Sequence, residues 1–414
     1  MFDKLLDRVL QSHIKRGVLE IVHADGREVR CGAPDPQFGN VRIRFTDTRV
    51  ARDIVRDQSL GAGEAYMDGR LVLERGEIME LVEIVKGNGA WEVKRPVRRG
   101  LTGKLKLALK ARLAEANRQT SARSNVSHHY DIGNDLYRMF LDSEHLQYSC
   151  AYWPEDDMTL GEAQTAKLAH IAAKLAIEPG QEVLDIGCGW GGMAIYLARH
   201  FDCRVLGITL STEQRDLAIE RAEAAGVSDK VSFELVDYRD LAAYNLKFDR
   251  IVSVGMFEHV GRPQFDTFFD CCARLLTGDG VILLHTIGRM GVPGATDAFT
   301  RKYIFPGGYI PALSEIVSAS EPYRLIATDV ETMRLHYART LRAWYANCAA
   351  NREAIVSLYD ERFYRMWMFY LSGATASFEH GGMCNYQVQY ARNRYALPLT
   401  RDYMREAELG LLKA

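Results

Sequence analysis

The sequence predicts an α/β protein: a doubly wound, Rossmann-like domain with a mainly parallel sheet, preceded by a small α+β domain. Three observations carry that expectation. The stretch Glu182 to Gly192 runs from an apolar strand into a cluster of glycines and then into a helix. From residue 182 onward, strand-like and helix-like segments alternate, which places helices on both faces of a parallel sheet. Residues 1–90, in contrast, mix a hairpin signal with short helices.

In the N-terminal domain, 1–90, a helix is expected from Asp3 to about His13. Strands follow at Val18 to Val22 and Glu28 to Arg30, joined at Asp25-Gly26, a favoured hairpin turn. Val41 to Phe45 alternates strictly and reads as a half-exposed strand. Thr48 to Val55 and Ile78 to Val85 read as helices, separated by Gly-rich turns and the strand-like Arg70 to Leu73. Nothing here resembles a catalytic site, and His23 and Cys31 are expected to be structural or surface residues.

Residues 91–124 read as a basic amphipathic linker. Leu101, Leu105, Leu109 and Leu113 recur every four residues and give one helix face an apolar stripe. Residues 94–124 hold ten Lys or Arg against one acidic residue, Glu115, in a chain whose net charge is −2. Such a segment suits an anionic membrane surface, at about 1 kcal/mol per basic residue. Docking on a neighbouring domain is the alternative.

Residues 125–414 are expected to form the catalytic domain. His128 to Tyr137 and Gln147 to Trp153 are dense in hydrogen-bonding side chains. Thr159 with Glu162 three residues on forms a capping box for a long helix, and Ser211 with Gln214 reads as a second. The alternating elements fall at 182–186, 191–200, 204–208, 212–225, 231–235, 248–253, 263–276 and 280–286. The stretch 288–322, with Pro293, Pro306, Pro311 and Gly307-Gly308, reads as a lid. A strand at Tyr323 to Asp329, aromatic-rich helices through 334–380 and a last strand at Tyr386 to Tyr390 complete the domain.

The composition narrows the function classes. No run of about 18 apolar residues offers a membrane span, and the N-terminus lacks a signal-peptide core. The eight cysteines are scattered, with one vicinal pair at Cys271 and Cys272. Reduced thiols in a cytoplasmic protein are expected, with neither a structural metal nor a nucleic-acid partner.

The glycine-rich turn also satisfies the dinucleotide-binding G-x-G-x-x-G spacing. Two residues argue for another ligand. Asp185 ends the first strand inside the turn, where its charge repels a pyrophosphate and suits a cation. The second strand, Arg204 to Ile208, ends in Thr209 rather than in the acid that holds an NAD ribose. S-adenosylmethionine, with its sulfonium and ammonium, fits better than a nicotinamide cofactor. Gly187 and Gly189 then open backbone N–H groups to the ligand. Thr209 and Gln214 are placed to bond the ribose hydroxyls and methionine end, with Asp237 and Tyr238 where an adenine lies. Glu258 and His285 end two further strands at the same rim, and a Glu in an apolar pocket requires hydrogen-bonding partners.

Seven runs carry a resemblance: His128 to Asp131, Tyr148 to Trp153, Val183 to Gly192, Met256 to Gly261, Leu284 to Gly288, Tyr303 to Pro306 and Thr340 to Trp344. Together they resemble the cyclopropane-fatty-acyl-phospholipid synthases and the related mycolic-acid cyclopropane synthases, from about Ser127 to Arg392. The phospholipid enzymes also share a domain like residues 1–90. The resemblance implies a class I S-adenosylmethionine methyltransferase fold, with the cis double bond of an unsaturated phospholipid acyl chain as methyl acceptor. It implies bound bicarbonate as general base, held by Cys150, Glu258, His285 and Tyr337, with Glu258 orienting the ion and Cys150 a buried contact rather than a nucleophile. It implies cofactor contacts at Tyr130, Tyr148, Ser149, Gly187, Gly189, Thr209 and Gln214, and a homodimer acting at the inner face of the membrane. Tyr303, Phe305, Tyr309 and Phe257 are candidates to stabilise a carbocation through their ring faces. Where some members carry a cysteine in the late helix, this chain has Ala374, which weakens thiol-based mechanisms. A methyl-branched or methylene product on the same frame is the alternative, and a non-catalytic lipid-binding module is the second.

Overall fold

The computed structural model describes residues 1–93 and 133–413, so the expected basic linker and Tyr130 lie outside the described residues. The chain divides into two compact units that do not follow sequence order. One holds the described residues of 1–100 with 296–306 and 341–383. The other holds those of 101–295 with 307–340 and 384–414.

The first unit begins with α1 (Phe2–His13), β1 (Gly17–Val22), β2 (Glu28–Ala33) and β3 (Asn40–Phe45). It continues with α2 (Arg49–Arg56), α3 (Gln58–Met67), β4 (Leu71–Arg75) and α4 (Ile78–Gly87). The sheet order is β2-β1-β3-β4. β1 and β2 form the antiparallel hairpin expected at Asp25-Gly26, while β1 pairs parallel with β3. Helix α3 departs from the expected Gly-rich turn. Asp57 caps it by accepting from Leu60 N, and its glycines serve close packing. A Cβ on Gly61 would lie 2.3 Å from the Asp53 carbonyl on α2.

The second unit contains α5 (Asn134–Phe140), α6 (Leu160–Leu175), β5 (Gln181–Ile186), α7 (Gly192–His200), β6 (Cys203–Thr209) and α8 (Thr212–Ala224). Next come β7 (Val231–Leu235), α9 (Tyr238–Leu241), β8 (Phe248–Val254), α10 (Phe265–Leu275), β9 (Leu276–Arg289), α11 (Leu313–Ser320) and β10 (Ile326–Met333). The chain then runs through α12 (His336–Ala350), α13 (Arg352–Leu358) and α14 (Glu361–Glu379), and returns as β11 (Met383–Ala391) and α15 (Asp402–Leu411). Seven strands form one sheet in the order β10-β11-β9-β8-β5-β6-β7. The five from β9 to β7 are parallel, and β10 runs antiparallel to β11.

Strand periodicity divides the core in two. Val183, Val252 and Leu283 pack with α6, α7 and α8 on one face. Leu184, Ile251, Ile282 and Leu284 pack with α10 and α11 on the other. By the same alternation Asp185 and His285 share the α6 face with Val183 and Leu283. Thr159 caps α6 as expected, accepting from Glu162 N while Glu162 returns to Thr159 N at 2.7 Å.

The remaining segments complete the first unit. Residues 296–306, which include a single π-helical turn at Thr300–Ile304, and helix α14 pack against α3 and α4. Thus the stretch expected as one lid, 288–322, is split between the units. Among the described residues, no helix is long and apolar enough to cross a membrane.

Candidate active site

A cleft opens where β5, β6 and β8 end. Its floor is the glycine-rich turn, and two of its glycines have a local steric reason. Gly187 has φ +82°, and a Cβ on it would lie 2.7 Å from Met256 Cβ. Gly191 caps α7 in the left-handed region, with Phe233 2.6 Å from where its Cβ would be. Side chains are therefore excluded where a ligand must approach the backbone.

Residues 142–149 form a strap over this turn, fixed from several sides. The Asp142 carboxylate accepts from the backbone N–H groups of His145, Leu146 and Gln147 at 2.6, 3.1 and 2.8 Å. It thereby holds Leu146 at φ +50°, a conformation bulky side chains avoid. Gln164 Nε2 donates to the carbonyls of Gln147 and Ser149. Arg221 ties the strap to the turn by donating to Glu144 O and Trp190 O. Lys167, fully buried on α6, donates to Gln147 Oε1 and, at 3.0 Å, to Ser149 Oγ.

Asp185 is 1% exposed, and its Oδ2 has no hydrogen-bond partner among the described residues. Burial pushes its carboxyl up to about 7, opposed by the nearby Lys167 ammonium. Burial likewise pushes Lys167 down to about 8. A buried acceptor without a donor, at the mouth of a glycine cradle, fits the ammonium of a sulfonium amino-acid cofactor.

The second group of predicted residues lies behind this rim. Glu258 Oε1 accepts from Ile287 N at 2.6 Å, while Oε2 is buried without a hydrogen-bond partner among the described residues. Burial raises its carboxyl to about 7, against the pull of the Ile287 N–H. His285, two residues before Ile287, is 1% exposed between Asn385 and Gln387, 3.1 Å from each amide. Burial holds its imidazole neutral, far below the ordinary histidine range, and the Lys167 and Lys174 charges add to that. Cys150 is wholly buried, its Sγ 3.2 Å from Ala151 O, and burial raises the thiol far above its ordinary range. It is not a thiolate nucleophile. Thr340 Oγ1 anchors the same stretch, accepting from Ala151 N and Trp153 Nε1. Buried Tyr337 sits one turn before it on α12.

The structure therefore brings Tyr148, Ser149, Asp185, Gly187, Gly189, Thr209, Gln214, Asp237 and Tyr238 to one cleft. Glu258 and His285 are joined through β9, and Cys150 is joined to α12. Two expectations are corrected. Ser211 caps α8 by accepting from Gln214 N, but Gln214 does not return to it. Its Oε1 accepts from Thr209 Oγ1 at 2.8 Å, and Thr209 Oγ1 takes the Ser211 N–H. The Asp237 carboxylate lines the cleft, as expected, and accepts from Arg239 at 2.6 and 2.8 Å. Phe257 and Tyr309 are core residues: Phe257 stacks on Phe265 at 4.3 Å, and the Tyr309 hydroxyl donates to Glu315. In the first unit the Tyr303 hydroxyl donates to Glu64.

Sequence reasoning missed Asp142, Lys167, Arg221 and the amides of β11. One signal was available. Asn385, Gln387 and Gln389 alternate with Cys384, Tyr386, Val388 and Tyr390, a polar face on a strand buried on both sides.

Comparison with known proteins agrees with this geometry. The family model described as mycolic acid cyclopropane synthetase matches residues 117–388. A cyclopropane-fatty-acyl-phospholipid synthase from Escherichia coli K12 is 38% identical over 380 residues, 90% of this chain and 92% of that protein. A probable fatty acid methyltransferase from Pseudomonas putida is 35% identical over 393 residues, 92% of this chain and 94% of that protein. The crystal structure of the mycolic acid cyclopropane synthase CmaA1, complexed with SAH and CTAB, superposes with a TM-score of 0.61 at 34% identity. It covers 65% of this chain and 98% of that one. The sheet order, the glycine cradle and the buried Asp185 are those of a class I S-adenosylmethionine methyltransferase, and by both sequence and fold the chain belongs to the mycolic acid cyclopropane synthetase family.

Proposed function

We propose that the protein forms cyclopropane rings at cis double bonds of unsaturated acyl chains in membrane phospholipids, with bicarbonate bound beside Glu258. The observation that carries this reading is a buried carboxylate with an acceptor free among the described residues, Glu258, bonded to the backbone of β9 at Ile287, two residues after the buried His285. An isolated alkene is a weak nucleophile, so the reacting groups must be aligned in a dry pocket. Ring closure then needs a base for one methyl proton, which simple methyl transfer does not. S-adenosylmethionine supplies the methyl group; the chain orients it with the strap at 142–149, the glycine turn, Asp185 and Thr209. For bicarbonate, Glu258 Oε2 is an acceptor for its hydroxyl, while Cys150, His285 and Tyr337 carry donor hydrogens suited to its oxygens. Bicarbonate held there supplies the base.

The second reading, a methyl-branched or methylene product, is favoured by the likeness to the Pseudomonas putida protein. Peripheral attachment through the basic residues of 94–124 belongs to the proposal too. Two measurements address these readings. The protein is incubated with S-adenosylmethionine, bicarbonate and liposomes of an unsaturated phospholipid, and the acyl chains are read by mass spectrometry. A gain of one CH2 that resists hydrogenation is expected. A product that hydrogenates, or a gain of CH4 from a saturated methyl branch, selects the second reading, and no gain overturns both. Liposome binding is expected to rise with anionic lipid and fall with salt; indifference to both removes the membrane role of 94–124.

A further inference from the structure

We propose that Gln387, held by Lys174, is a positioning residue that locks His285 as the neutral tautomer with its proton on Nε2. The tautomer assignment stands on hydrogen-bond geometry. Its catalytic consequence rests on the proposed anion site.

Two elements meet at this ring. Helix α6 turns Gln164, Lys167 and Lys174 to one buried face, and β11 answers with Asn385, Gln387 and Gln389. An ammonium can only donate. Lys174 Nζ lies 2.8 Å from Gln387 Oε1 and also donates to Glu331. Reversing the Gln387 amide would set its NH2 against that ammonium, so its orientation is determined. Nε2 of Gln387 therefore faces His285 Nδ1 at 3.1 Å. An amide NH2 is also only a donor, so Nδ1 must be the nitrogen with the lone pair. A neutral imidazole carries one N–H, which places it on Nε2.

Asn385 agrees with this assignment. Its amide lies 3.1 Å from His285 Nε2, and it can accept that hydrogen only by presenting Oδ1. With Nδ2 turned to the ring, Oδ1 is buried with no hydrogen-bond partner among the described residues, so the satisfied orientation is the reverse one. The single hydrogen of His285 thus sits on Nε2, where Asn385 Oδ1 takes it in the ligand-free protein, and an anion binds there by sharing it or by displacing that carbonyl. The opposite tautomer would present a lone pair there and repel an anion.

The test uses the full-length protein labelled with 15N-histidine, with His285 assigned by comparison with His285→Gln. Wild type is expected to show His285 protonated on Nε2. In Gln387→Glu the new carboxylate accepts from Nδ1, so the tautomer should invert. kcat should then fall about 10–100-fold, with KM for S-adenosylmethionine within about twofold. Gln387→Leu removes the donor without replacing it and should give a smaller loss. A merely structural glutamine would leave the tautomer unchanged in both variants. A wild-type ring protonated on Nδ1, an uninverted ring in Gln387→Glu, or wild-type kcat in that variant overturns the proposal. The wild-type spectrum decides even if a variant fails to fold. Assays in bicarbonate-depleted buffer separate the two readings: a rate indifferent to bicarbonate removes the anion site and leaves the tautomer assignment standing.

Discussion

Asp185 shows how one residue can couple cofactor binding to pH. Buried at the end of β5, with Oδ2 unpaired among the described residues, it holds its proton up to about 7 in the ligand-free protein. A cationic ligand favours the carboxylate, so binding below that value requires loss of a proton, and each lower pH unit costs up to about tenfold in affinity. S-adenosylmethionine should therefore bind more tightly at pH 7.5 than at pH 6, by roughly tenfold. Asp185→Asn should bind more weakly and with little pH dependence. Titration calorimetry at the two pH values checks this, and a wild-type affinity independent of pH refutes it. Stability has the opposite sign. An acid with a raised folded-state value contributes stability that is present below its unfolded value, near 4, and lost as pH rises through 7. Ligand-free Asp185→Asn should thus lose less melting temperature than wild type between pH 5 and 8. Glu258, raised to about 7 for the same reason, leaves a residual slope.

At the level of elements, the site depends on the strap lying flat on the turn that starts α7. Gly192 is the contact point: a Cβ there would lie 2.3 Å from His145 O and 2.4 Å from Gln147 Nε2. Since Asp142, Gln164 and Lys167 fix that backbone, Gly192→Ala must lift the strap rather than adjust a side chain. It should lower affinity for S-adenosylmethionine at least about tenfold. Thr159→Ala provides the control: losing the α6 cap costs about 1 kcal/mol with affinity unchanged. Equal affinities for the two variants would refute a role for the strap. The turn itself was legible because strand, glycines and helix are contiguous, and the Thr159 cap because its partner is three residues away. The supports were not legible. A lysine in an amphipathic helix reads as a solvent-facing residue until its partner is known, and the Gln387 partner of Lys174 is 213 residues away. Helix α3 was hidden for the converse reason, since Gly61 looks like a turn until Asp53 is seen against it.

The largest scale concerns how the first unit is completed. Residues 1–93 supply a four-stranded sheet and four helices, but the partners of α3 and α4 come from more than 200 residues later in the chain. Gly63 lets Phe299 and Phe369 approach to within 3 Å of where a Cβ would be. Arg362 pairs with Asp68 at 2.9 Å, and Lys302 pairs with Glu64 at 2.6 Å. Arg342 bridges Glu83 and Glu379, and Trp91 N donates to His380 O at 2.8 Å. Surface ion pairs are worth little singly, so the apolar contacts against α14 dominate. A domain of about 90 residues buries a smaller fraction of its chain's surface than a larger one, roughly 60–70%. Removing α14 exposes one side of both helices and leaves the marginal stability of so small a domain without its main apolar partner. Residues 1–93 expressed alone should therefore show no cooperative thermal transition by circular dichroism, whereas the full chain unfolds cooperatively. A folded, cooperative fragment would mean that α1 to α4 and their sheet suffice, and that α14 is recruited by a unit already formed.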